Sequence, residues 1–235
     1  MIIERLKDVV DSNLMLSRII RRFYSVSILP LVKVRRRTKI QKQFDSLVKD
    51  ISQLSQETGI QIWPAFGTLL GIYRENGPIS HDLDVDFASW FEHRHVVRTL
   101  LLENGFGLVK VYSSPSIKEA YEEVFEWNGL KFDMFYFHRG PKSEYFHDFM
   151  RDGDSSRVET INRLGGLKVR RISVPIEGIQ LRKYKDFYIF APSNIEEHLS
   201  ARYGDSFMTP DRKWSAQSTD SRTEVLSTDG EMNLR

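Results

Sequence analysis

A mixed β-sheet flanked by helices, an α+β chain with a helical N-terminal extension, is what this sequence predicts. Three observations lead there. Apolar residues recur at helical spacing before residue 59. Asn128-Gly129 separates two β-rich runs, Phe125–Trp127 and Leu130–Phe137, in the manner of a two-residue hairpin. Helical and strand-like stretches then alternate without the steady rhythm of a doubly wound parallel sheet. The resulting division is a basic helical extension over residues 1–37, a main α+β domain over 38–214 and a polar C-terminal tail over 215–235.

Taken in order, residues 1–29 carry Ile2, Leu6, Val9, Val10, Leu14, Leu16, Ile19, Ile20 and Phe23 at helical spacing, and Pro30 ends or kinks that element. Thr38 opens a second helix, with Ile40, Phe44, Leu47, Val48, Ile51 and Leu54 on one side and Gly59 closing it. Ile60–Trp63 reads as a strand, residues 69–75 as a short helix after a Gly67-Thr68 turn, and Val85–Ala88 as a strand. Residues 91–104 read as a helix ending at Gly105. Residues 141–168 are polar and poorly patterned and read as loops with at most one helical turn. Leu167–Val174 and Leu181–Phe190 offer short strands. Ser193 and Glu196 have the spacing of a capping box, with the helix stopped by Gly204. The stretch after Trp214 is rich in Ser, Thr and charge, and reads as an extended or disordered tail unless it docks.

The net charge of +2 conceals an uneven distribution. Residues 1–42 hold eleven Lys and Arg against three Asp and Glu, and the remainder holds 23 basic against 29 acidic residues. A basic leader on an acidic body suggests contact with an anionic surface, for which lipid head groups are a candidate partner of residues 1–37. There are no cysteines, so disulfides and thiolate metal sites are excluded. No apolar run is long enough for a spanning helix, and Arg5, Lys7, Asp8 and Asp11 interrupt any secretory signal. The expected location is cytoplasmic, peripheral at the inner face of the membrane if the leader binds lipid. Phe132, Phe135, Tyr136 and Phe137 read as core and sheet rather than as a base-stacking platform, and no nucleic-acid partner is expected.

The chemistry concentrates in Gly67-Thr68-Leu69-Leu70-Gly71, Arg74 and His81-Asp82-Leu83-Asp84-Val85-Asp86. In an extended strand, Asp82, Asp84 and Asp86 share one face while Leu83, Val85 and Phe87 share the other. Carboxylates so crowded need a cation or a proton between them. Mg²⁺ takes one or two carboxylates together with substrate phosphate oxygens. Asp133, alone among the apolar residues Phe132, Met134 and Phe135, is costly to bury unless paired or bound to a metal, and so is the candidate third acid. The expected roles are metal ligands for Asp84, Asp86 and Asp133, with Asp133 also a candidate proton acceptor. The Gly67-Thr68 backbone and the helix start after it would receive phosphate oxygens. Arg74 would clamp them.

These motifs resemble the LicD family of phosphotransferases, which includes the fukutin-related proteins and is similar to the nucleotidyltransferase-fold superfamily. Gly-Thr-Leu-Leu-Gly-x-x-Arg followed by an Asp-rich strand matches its outline, and Tyr203-Gly204-Asp205-Ser206-Phe207-Met208-Thr209-Pro210 resembles its Tyr-Gly-Asp-x-Trp-Met-Thr-Pro ending. The resemblance implies a nucleotidyltransferase-like sheet. It also implies transfer of a phospho-alcohol (phosphocholine, glycerol phosphate or ribitol phosphate) from a CDP-linked donor to a glycan hydroxyl, with Mg²⁺ or Mn²⁺, in surface polysaccharide or glycoconjugate synthesis. It places Asp84, Asp86 and Asp133 at catalytic and metal positions, and Gly67, Thr68, Gly71, Arg74, Asp82 and His81 at substrate-binding positions. Two departures stand out: Leu83 replaces a carboxylate, and His81 replaces a Trp. The alternatives are a metal-dependent glycosyltransferase using a sugar nucleotide, and a non-catalytic scaffold of the same fold.

Overall fold

A computed structural model of the chain describes residues 29–211, 214–215 and 222–235. It opens with a long helix, α1 (Leu29–Thr58), then β1 (Ile62–Pro64), α2 (Phe66–Glu75) and β2 (Asp86–Trp90). A short 3-10 turn, Phe91–His93, leads into α3 (Arg94–Glu103). Four strands follow: β3 (Gly107–Ser113), β4 (Tyr121–Trp127), β5 (Leu130–His138) and β6 (Glu144–Met150). Then come α4 (Arg157–Leu164), β7 (Leu167–Val174), β8 (Ile179–Tyr184), β9 (Phe187–Pro192), α5 (Ile195–Tyr203) and β10 (Thr223–Leu234).

Eight strands form one mixed sheet in the order β1-β2-β5-β4-β3-β10-β7-β6, and β8 and β9 form a separate hairpin. β5 is the pivot. Its first six residues pair with β4, and Phe137 and His138 then leave β4 for β6 on the same side. This last pairing closes β5, β4, β3, β10, β7 and β6 into a ring. On its other edge β5 runs parallel to β2. The Asn128-Gly129 turn has positive φ at both residues (48° and 71°), the type I′ geometry that the sequence predicts.

Alternation gives the β2–β5 region two faces. Phe87, Phe132, Met134 and Tyr136 face helices and are buried with Ile40, Phe44, Leu47, Val48 and Ile51 of α1 and Val97 and Leu101 of α3. The opposite face carries Asp86 and Asp133. Glu122 and Glu123 show the same division. Glu123 is fully buried on the helix side, bonded by Arg98 and Tyr136, whereas Glu122 lines a cleft on the other side.

Several expectations need correction. The helix expected over residues 1–29, with its end or kink at Pro30, lies outside the described residues apart from Leu29 and Pro30, which belong to α1. Thr38 is consequently interior to α1, and the boundary expected at residue 37 falls inside a continuous helix. Residues 1–28, with most of the expected basic extension, lie outside the described residues. Residues 141–168 are not loops: they hold β6 and α4, the latter opened by a true capping box between Ser156 and Glu159. Ser193 and Glu196 form no such box, since α5 starts one residue later with Asn194 at its N-cap. The stretch expected as a separate tail supplies β10, which pairs antiparallel with both β3 and β7. No helix among the described residues is long and apolar enough to cross a membrane.

His198 of α5 is 2% exposed, and one of its ring nitrogens lies 3.0 Å from the carbonyl of Pro175. Burial lowers its pKa to about 4. A lowered folded-state pKa favours the native state fully above the unfolded value of about 6.5, and the advantage drains away as pH falls toward 4. The shift is equivalent to about 3 kcal/mol. Thermal unfolding of wild type and His198→Gln should therefore differ most above pH 6.5, with the gap shrinking on acidification. A gap that widens on acidification would contradict this account.

Candidate active site

The acids reach one cleft by three routes. Asp86 opens β2 and stands opposite Asp133 of β5 in the parallel register. The backbone around this pair is pinned from both sides. The Asp86 N–H donates to Thr68 Oγ1 (2.8 Å), the Ala65 N–H donates to the Asp86 carbonyl (2.9 Å), and the Asp133 N–H donates to the Val85 carbonyl (2.9 Å). Asp82 and Asp84 precede the strand, which begins only at Asp86, yet the alternation survives: Val85 and Phe87 are in the core while Asp82, Asp84 and Asp86 line the cleft. Glu122 of β4 and Asp148 of β6 complete the acidic wall.

The cleft has a volume of about 510 Å³. It is also lined by Phe66, Gly67 and Leu70 of α2, by Arg202 and Tyr203 of α5, and by Ser206 and Phe207 beyond it. His81 and Arg74 line it as well.

Crowding shows in the proton affinities. Burial, followed by the hydrogen bond and charge of Asp84, pushes Asp82 up to about 8. Burial, then the charges of Asp84, Asp133, Asp82 and Glu122, holds Asp86 well above the carboxylate range. Asp133 rises to about 6 through burial and Asp84, moderated by Arg36, Arg157 and Lys110. Glu122 is raised well above its usual value by burial and by Asp133 and Asp148. Asp148 is held by a two-pronged pair with the buried Arg170, Nε to Oδ1 at 2.9 Å and Nη2 to Oδ2 at 2.5 Å. Carboxyl groups that resist ionisation together are suited to a hard cation, which replaces protons as the neutralising partner. Among the described residues no group of three His, Asp or Glu side chains forms a ready metal cage. Mg²⁺ does not require one, because it retains waters and completes its shell with substrate phosphate. The chemistry of this acid-rich lining is compatible with such an ion.

The glycine-rich segment divides into separate jobs. Helix α2 starts at Phe66, so Gly67-Thr68 is its first turn rather than a turn before it. Gly67 lies against the Asp82 carboxylate, which a Cβ would strike. The Thr68 side chain is 2% exposed and committed to the start of β2. Gly71 faces away from the cleft toward the backbone of Gly77 and Ile79, where a Cβ would lie 2.5 Å from a carbonyl oxygen. Arg74 does reach the cleft, but Nη1 donates to the Phe207 carbonyl (2.9 Å) and Nη2 to Glu75 (2.7 Å). The Tyr203–Pro210 segment thus both braces α2 and lines the cleft.

Sequence reasoning missed Glu122, Asp148, Arg157, Arg202 and Trp214 as lining residues. Asp148 carried a usable signal, since Phe146-His147-Asp148-Phe149 repeats the acid-among-apolar pattern of Asp133.

The chain is 23% identical over 181 residues to the mouse ribitol-5-phosphate transferase FKTN, a match covering 75% of this chain and 36% of that one. The chain therefore spans about a third of the length of that curated relative. Residues 59–176 match the family described as LicD/FKTN/FKRP, nucleotidyltransferase domain. That stretch is half of the chain and includes Asp82, Asp84, Asp86, Glu122, Asp133 and Asp148, and the chain belongs to the LicD family.

Proposed function

We propose that this chain is a metal-dependent transferase that moves a phospho-alcohol from a nucleotide-linked donor, CDP-linked in the first instance, to a glycan hydroxyl. The observation that carries the reading is Asp86 facing Asp133 across two parallel strands in a cleft shared with Asp82 and Asp84. Family membership and the printed activity of the mouse relative, a ribitol-5-phosphate transferase, support it. The pathway context is glycoconjugate or surface-polysaccharide assembly.

The donor's diphosphate lies between the acids and the first turn of α2, whose leading N–H groups lack intrahelical acceptors. Bound Mg²⁺ or Mn²⁺, held by Asp84, Asp86 and Asp133, offsets charge on the phosphoryl oxygens. The acceptor hydroxyl attacks the phosphorus that carries the alcohol. A new P–O bond forms, the bond from that phosphorus to the bridging oxygen breaks, and the nucleoside monophosphate leaves with the electron pair. The hydroxyl proton passes to the Asp133 carboxylate.

Asp133→Asn should lower turnover by about 10²–10⁴-fold, the usual worth of a positioned acid or base. Asp86→Asn should cost at least as much. The metal-free thermal midpoint of either variant should stay level or rise, because one crowded charge is gone. Product mass spectrometry checks the reaction: phosphate travels with the alcohol to the acceptor, and transfer of a bare sugar would exclude this mechanism. Calorimetry with Mn²⁺ should show weak binding to the protein alone and tighter binding once CDP is added, because the acids form an open wall rather than a cage. Equal affinity with and without nucleotide would count against that.

The start of α1 supports a second contact. Leu31 and Val34 are 65% and 56% exposed, among the exposed Lys33, Arg35 and Arg36. Sedimentation with anionic vesicles should occur at low salt and fade as salt is raised. Salt-independent sedimentation, or none, would point to protein docking instead.

A further inference from the structure

We infer that Arg202 is the cation that grips the diphosphate of the nucleotide donor. This inference deepens the transferase reading and rests on it.

The cleft offers three arginines, each held differently. Arg74 spends both terminal nitrogens on the Phe207 carbonyl and Glu75. Arg157 lies 5.5 Å from the centre of the Tyr112 ring, where its charge lowers the proton affinity of Glu122 and Asp133. Arg202 is different. Among the described residues it has no carboxylate at ion-pair distance, although seven acids line the same cleft, and its Nε is buried with no acceptor. Its guanidinium carbon sits 5.5 Å from the centre of the Phe66 ring, 5.9 Å from Phe146 and 5.2 Å from Trp214.

That setting prepares it for phosphate. Contact through aromatic faces holds a planar cation without consuming its N–H groups. A guanidinium presents those donors in a rigid fork that matches two phosphate oxygens. Aromatic walls also remove water, which strengthens attraction to an anion, and they hold the side chain before the ligand arrives, which lowers the entropy lost on binding. The support beneath is firm: Ile195 and Leu199 of α5 are buried with Leu69 and Leu70 of α2, and Tyr73 of α2 bonds Glu196 of α5. The next residue, Tyr203, lines the cleft within the electrostatic reach of Asp82, Asp84 and Asp86, whose charges add to burial in raising its pKa. The cation and the aspartates therefore flank the same space.

Calorimetry in MgCl₂ with CDP, inorganic pyrophosphate and cytidine tests the assignment on wild type, Arg202→Gln and Arg202→Lys. Arg202→Gln should weaken CDP and pyrophosphate in parallel, by about tenfold to a hundredfold, the usual worth of a charge-assisted pair. Cytidine affinity should not change. Arg202→Lys, which keeps charge and loses the fork, should fall between. The donor KM should rise with CDP affinity loss while kcat moves less. Unchanged CDP affinity in folded Arg202→Gln overturns the inference and leaves the transferase reading standing; so does an equal loss of cytidine, which marks a collapsed wall. Should Arg202→Gln not fold, wild-type CDP affinity in Arg202→Lys overturns it in the same way. Failure of wild type to bind any nucleoside diphosphate overturns the transferase reading itself.

Discussion

Two carboxyl groups opposed across a parallel strand pair, with little water to separate them, are the constraint around which this molecule is organised. Asp86 and Asp133 cannot both ionise cheaply where they stand, and Asp84 adds to the load on each. The backbone nevertheless leaves them no freedom to part: three short hydrogen bonds, from Asp86, Ala65 and Asp133, lock the chain on either side. Rigidity is what makes the repulsion useful. A flexible site would relax and bind a cation no better than water does, whereas a fixed one keeps its deficit until a cation or protons fill it. Asp148 shows the contrast within the same wall, since it has a cationic partner of its own in buried Arg170.

The sheet explains how such a wall can be built. β5 serves three neighbours, β2, β4 and β6, and each of them adds at least one acid to the face that Asp133 occupies. The reverse face of the same strands is sealed by α1 and α3 around Phe87, Met134 and Tyr136. One surface is thus given to core packing and the other to charge. The last strand in sequence, β10, lies within the sheet rather than at an end and joins β3 to β7. The C-terminal stretch is therefore part of the framework that holds β4 and β6 in place.

Features written in local pattern could be read directly. Asn128-Gly129 specified its turn, Gly59 closed its helix, and the spacing of Asp84, Val85, Asp86 and Phe87 predicted which side chains enter the cleft. Features set by register could not. Glu122 and Glu123 are identical in type and adjacent, and only the pairing of β4 with β5 sends one to the cleft and the other to Arg98 and Tyr136. β10 was hidden because its polar, charged residues carry no clean alternation, and its pairing with β7 is broken by irregularities. The glycine-rich segment misled in a different way. A single motif suggested a single phosphate turn, but Gly67 makes room for Asp82, Thr68 fastens β2 and Gly71 lets the chain pass at Gly77. Residue type said that small side chains were needed there, and only packing said what for.

A cleft that receives a diphosphate with a cation has to present both signs, and here they come from different parts of the chain. Most of the negative wall is carried by the sheet and the segment entering β2, within residues 59–176 that match the family, and Asp211 adds to it from beyond that match. The positive side comes from α5, which lies beyond that match and is joined to the site through its packing on α2. α2 is therefore the hinge of the arrangement: Gly67 at its start touches the Asp82 carboxylate, and Phe66 beside it lies against the Arg202 guanidinium. Anything that shifts this one helix moves the acids and the cation relative to each other. That is reason enough for its far end to be tied down twice, by Arg74 to the Phe207 carbonyl and by Tyr73 to Glu196.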